Sequence, residues 1–174
     1  IDYEVTCTNC HEEPVHPEEY AVINEHTGRI ACQSCHIPLL ARDPDLPTQM
    51  TRDYSQPVLN ETTGLYGPKI GNEGNVVPEY HWWNGWMTTP PEPVGSIDDT
   101  DSKIYPWKPM TVVAPVDAET QEPVYIKQGV YQIKGSLDAA VVAGVEASGQ
   151  DYSGAWESHS ESMLFDAQHQ VAPA

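Results

Sequence analysis

The fold class that the sequence predicts is a set of mostly irregular loops, with few short helices and strands, wrapped around two stacked prosthetic groups that the chain holds covalently. Three observations predict it. All four cysteines fall into two copies of one five-residue pattern, Cys7-Thr8-Asn9-Cys10-His11 and Cys32-Gln33-Ser34-Cys35-His36. The 174 residues include a single Phe, 16 Pro and a hydrophobic fraction of 39%, which is little core material for the length, yet five Trp and nine Tyr speak against a disordered chain. From Ile37 to about Gly135, Pro, Gly, Asn and Asp interrupt the chain every few residues and little helical period survives. An irregular stretch of that length normally argues against a compact domain. A rigid apolar group at the centre removes the objection.

Each five-residue pattern is C-x-x-C-H, the attachment signature of c-type haem. Two thiols add to the haem vinyl groups as thioethers, and the next residue offers its imidazole to the iron. Cys7, Cys10, Cys32 and Cys35 are therefore the attachment residues of two haem c groups, with His11 and His36 as proximal iron ligands, and the fold is that of a multihaem cytochrome c. The competing reading is a four-cysteine zinc site, whose spacing is similar. With seven His in 174 residues, a His after both pairs arises by chance about once in 600 cases, and this decides for haem. With every thiol used, no structural disulfide remains.

Each iron has a second axial place, open to His16, His26, His81, His159, His169 or a Met. Methionine raises the potential and suits single-haem carriers, whereas paired histidines give low potentials, and the number of histidines favours the latter. His16, in Pro14-Val15-His16-Pro17, and His26, in Asn24-Glu25-His26-Thr27-Gly28, both sit in the segment that carries the two motifs. His81 lies in an aromatic run, Tyr80-His81-Trp82-Trp83, suited to packing. His159 lies in a polar acidic stretch and reads as solvent-facing.

Residues 1–40 form a dihaem-attachment segment and 41–174 a loop-rich wrapping region, together one compact domain. Within the second, Val124 to Lys134 alternates as a strand pair turning near Gln128-Gly129 would. Ser136 can cap a short helix near 137–147, which Gly149 would end. Asn60-Glu61-Thr62 is a glycosylation sequon. Neither a phosphate-binding glycine loop nor a catalytic triad is present, and Ser158, Ser160 and Ser162 around His159 read as a polar loop. The sequence assigns no catalytic residue and predicts no enzyme.

Eight Lys and Arg against 26 Asp and Glu give a formal charge of −18. That excludes nucleic acid as a partner, which needs the opposite sign. No run of eighteen apolar residues could span a membrane. Haem c is attached outside the cytoplasm, so the motif implies an exported protein, periplasmic or extracellular, whose signal peptide has been removed.

Several strings resemble octahaem cytochromes of the tetrathionate reductase type, related more distantly to hydroxylamine oxidoreductase. They are Asn24-Glu25-His26-Thr27 leading to Cys32-Gln33-Ser34-Cys35-His36-Ile37-Pro38, then Asn75-Val76-Val77-Pro78-Glu79-Tyr80 with Trp83-Asn84-Gly85. Asp101-Ser102-Lys103-Ile104-Tyr105-Pro106-Trp107-Lys108, Asp151-Tyr152-Ser153-Gly154 and a closing His169 with Val171-Ala172-Pro173 follow in order. The resemblance implies a haem-packed core with bis-His irons, in which His16, His26 and His169 stand at matched positions and compete for two distal places. In the larger proteins the His-x-Val-Ala-Pro segment looks as if it runs into another C-x-x-C-H, similar to this chain's own beginning. The expectation is that His169 of one copy reaches the first haem of the next, giving a homo-oligomer or head-to-tail filament.

The functional expectation is electron transfer by two low-spin bis-His haems, as long-range conduction in an extracellular cytochrome filament, or nanowire, that meets redox partner proteins or extracellular acceptors. The alternatives are a periplasmic electron shuttle and a redox enzyme, or subunit of one, acting on a small sulfur or nitrogen oxyanion. A gas sensor would need a displaceable distal ligand.

Overall fold

In the computed structural model, residues 7–88 and 91–167 are described. In chain order the elements are two 3-10 turns, Cys7–Asn9 and Glu18–Tyr20, then helices α1 (Ala21–His26) and α2 (Cys32–His36). Strands β1 (Thr48–Asn60), β2 (Leu65–Glu73), β3 (Glu79–Trp83) and β4 (Lys103–Asp117) follow, then helices α3 (Gln128–Lys134) and α4 (Leu137–Ser148), and strand β5 (Trp156–Asp166). Strand is therefore more extensive than the loops with short strands that the sequence predicts. β4 alone runs for 15 residues and β1 for 13.

The reason lies in the prolines. Pro57 and Pro68 face each other across the β1–β2 pair, next to a register shift between Asp53 and Pro57. Pro106 lies opposite Tyr80 in the β3–β4 pair. A proline survives in a strand wherever its missing N–H is not needed by a neighbour, at an edge or a bulge.

The chain divides into two compact units, and the boundary differs from the expected 1–40 and 41–174. Among the described residues the first unit takes 7–44, 75–108 and 164–167, and the second takes 45–74 and 109–163. The attachment segment is thus part of a unit completed by later chain. In that first unit, β3 pairs antiparallel with the start of β4, Glu79 opposite Trp107 and Trp83 opposite Lys103. Ala31, Tyr105 and Trp107 are buried together with Trp83 and Leu164 against them. Trp83 meets Tyr105 and Trp107 edge-on, with ring centres 4.9 and 5.4 Å apart, an arrangement that aromatic quadrupoles favour. A second small cluster joins Ile37, Leu40 and Ala167 with Val76.

In the second unit, β1 pairs antiparallel with β2 and, over Thr51–Asp53, parallel with β4. The exposed hairpin turn carries Asn60, whose Oδ1 accepts from the amides of Thr62 and Thr63 at 3.0 and 3.1 Å. Val124, Tyr131, Leu137, Ala140 and Val141 form the core. Ser136 Oγ accepts from Ala139 N at 3.2 Å at the start of α4, and Gly149, at φ 68°, ends it. Where the sequence predicts a strand pair over 124–134, the chain forms α3. Tyr131 is the cause: helical geometry turns it fully inward, its hydroxyl donating to Tyr54 O at 2.9 Å. Gly135 then takes φ 59° between the two helices, where a Cβ would strike the Tyr66 ring.

Candidate haem-binding site

The second motif is a helix pinned to a strand. At spacings of three and four, Cys32, Cys35 and His36 share one face of α2. The other side is tied to β4: Ser34 Oγ donates to Ile104 O at 2.8 Å, Ala31 N donates to the same carbonyl at 2.9 Å, and Gln33 Nε2 donates to Tyr105 Oη at 2.9 Å. Ile37 leaves helical geometry at φ −121° and is fully buried, and Pro38 bars continuation. The first motif is a shorter turn in which the amides of Cys10 and His11 both donate to Cys7 O, at 3.1 and 2.9 Å.

The two motifs meet. Burial raises the Cys7 thiol, and the Cys32 thiol hydrogen bonded to it raises it further. None of the four cysteines is in a disulfide. Among the described residues, no three or more His, Cys, Asp or Glu side chains converge on a common metal position of the kind a four-cysteine zinc centre needs.

Between the motifs lies a recess of about 290 Å³, lined largely by apolar surface, including Val15, Ile23, Ile30 and Ala31. Cys7, Cys32 and Cys35 edge it, and four histidines, His11, His16, His26 and His36, face the same space. Cys10 is exposed and does not line it. The His16 and His36 rings are parallel to within 6°, their centres 6.2 Å apart. A parallel imidazole pair of this kind could hold one haem iron between its two rings. Apolar walls, thiols at the rim and an imidazole pair at that separation fit haem c.

Asn24, on α1, holds His16 with three hydrogen bonds: its Oδ1 lies 3.1 Å from both His16 N and His16 Nδ1, and its Nδ2 donates to His16 O at 3.0 Å. Sequence reasoning passed over Asn24, although it stands two residues before His26 in the Asn24-Glu25-His26 string. His81 is away from the recess, on β3, paired with Glu79 at 3.3 Å. His159 is exposed on β5, in the part belonging to the second unit. His169 lies outside the described residues.

A family described as Cytochrome c bacterial matches residues 67–174. That span excludes both attachment motifs, so the two observations are independent. The crystal structure of an octahaem cytochrome c from Shewanella oneidensis matches with a TM-score of 0.73 at 26% identity, over 98% of this chain and 46% of that one. This chain therefore spans less than half the length of that protein. No curated protein matches. The octahaem likeness corrects one expectation. The sequence predicts no enzyme, but the chain shares its fold along nearly all its length with an octahaem cytochrome, the kind of protein to which the sequence resemblance attaches a reductase activity. The expectation of no enzyme is therefore not supported.

Proposed function

We infer the function from one premise: the chain belongs to the bacterial cytochrome c family. It transfers electrons through covalently attached c-type haem. Bound in the recess, haem c supplies a one-electron iron couple. Our proposal is that the chain carries two haems, one on Cys7 and Cys10 and one on Cys32 and Cys35, each iron held by two histidines. His36 and His16 serve the second. His11 serves the first together with His26, the remaining histidine of the recess. The observation that carries this reading is the parallel pair His16 and His36 at 6.2 Å. The protein's own work is to fix these imidazoles and to exclude water with Val15, Ile23 and Ile30, which favours one ligand geometry in both oxidation states.

Because haem c is attached outside the cytoplasm, the proposed location is periplasmic or extracellular. Head-to-tail assembly, with His169 completing the first haem of a neighbouring copy in place of His26, rests on the sequence pattern alone. A second reading, supported by the octahaem likeness, is delivery of electrons to a reductase site for a small oxyanion.

Intact-mass measurement of the native protein tests the haem number, two being expected and one contradicting it. His16→Ala is expected to convert one low-spin iron to high-spin while both haems stay attached; two unchanged low-spin irons would remove His16 as a ligand. His169→Ala with negative-stain microscopy decides assembly: loss of polymers supports the filament, and polymers that persist, or native material that is only particulate, sink it.

A further inference from the structure

We propose that Asn24 is a positioning residue that fixes the tautomer of His16 and so sets the reduction potential of the haem on Cys32 and Cys35. The inference rests on His16 as the distal ligand of that haem.

The polarity of the His16 backbone fixes the orientation of the Asn24 amide. The His16 N–H can only donate and the His16 carbonyl can only accept, so together they fix which end of the Asn24 amide is oxygen and which is nitrogen. The orientation of an amide, ordinarily ambiguous, is here read by two groups of known sign. The same Oδ1 lies 3.1 Å from His16 Nδ1, and an amide oxygen accepts only. Nδ1 therefore carries the proton, and the lone pair is on Nε2, ready for a metal.

Asn24 is itself held in place. Its carbonyl accepts from Thr27 Oγ1 at 2.7 Å and from Thr27 N at 3.3 Å at the end of α1. The clamp thus ties the His16 backbone and ring to one helical turn. Asn is the side chain that can do this: Asp lacks the N–H for the His16 carbonyl, and Ser has too few groups for three partners.

An acceptor on Nδ1–H pushes electron density into the ring and strengthens Nε2 as a donor, which favours ferric over ferrous iron. A carboxylate at position 24 would accept more strongly than the amide. Removing the acceptor would do the reverse. The potential should therefore fall in Asn24→Asp and rise in Asn24→Ala.

The test is a redox titration of the holoprotein and both variants, followed by low-temperature electron paramagnetic resonance to resolve the two irons, with covalent haem content checked first. Asn24→Asp is expected to raise the ferric-to-ferrous ratio of one haem about tenfold at fixed ambient potential, about 59 mV for one electron, and Asn24→Ala to lower it by a similar factor. The other haem should move far less. Shifts of the same sign in the two variants, or none, would overturn the proposal. If Asn24→Ala does not mature, the sign of the Asn24→Asp shift decides alone. His16→Ala separates the two levels: if it converts one iron while the Asn24 variants shift nothing, the ligand reading stands and the tautomer clamp falls. If it changes neither iron, both fall.

Discussion

The two units bury apolar surface in different ways. The second builds a core from its own side chains, Tyr131, Leu137, Ala140 and Val141 on two capped helices with Val124 beneath them. The first has two small clusters, Ala31 with Tyr105 and Trp107, and Ile37 with Leu40 and Ala167, and beside them an apolar recess edged by thiols and imidazoles. On the proposed reading, one unit folds around protein and the other around a prosthetic group. If haem fills that recess, it supplies the apolar mass that the sequence lacks, and it does so in one unit only.

Replacing all four cysteines by serine should break the contrast most severely. The amides of Ile37 and Trp107 are expected to lose their hydrogen-exchange protection while that of Val141 keeps it. Equal protection at Trp107 and Val141 would show that the first unit does not depend on haem. Next in size is Gly144→Ala, because a Cβ there would fall on the backbone of Tyr125 and Ile126. Denaturant unfolding should show a loss of about 1–3 kcal/mol confined to the second unit, with haem absorption unchanged. Tyr131→Phe removes the bond to Tyr54 O and leaves that carbonyl without its donor, an expected loss of about 1 kcal/mol in the same transition.

The smallest effect appears only in acid. Asp117 is almost fully buried and accepts from the backbone amides of Ser153, Glu119 and Thr120 at 2.6, 2.8 and 3.1 Å, which hold its carboxyl down at about 2 from an ordinary 3.8. A lowered value in the folded chain means that its contribution is complete above about 3.8 and is lost as pH falls through about 2. Asp117→Asn should flatten that part of the pH–stability curve, and a slope equal to the native one would show that the loop is held otherwise.

The attachment motifs stand out in the sequence because thioether chemistry needs its two thiols and imidazole contiguous. So does α4, since Ser136 and Gly149 act locally. The strands do not, because Pro57, Pro68 and Pro106 read as breakers until pairing reveals which N–H groups are dispensable. α3 was missed because Val124, Ile126 and Val130 alternate, and only the burial of Tyr131 against Leu137, Ala140 and Val141 decides for a helix. The pairing of His16 with His36 was equally hidden. His16 is near His11 in sequence, whereas the structure brings its ring parallel to that of His36, at the far motif.

The proposed ligand set has four imidazoles closing two irons within this chain. Low-temperature electron paramagnetic resonance of the fully oxidised native protein tests it most directly. Two low-spin ferric signals of the bis-imidazole type are expected, each integrating to one spin per chain, whereas a high-spin signal approaching one spin per chain would overturn this ligand set.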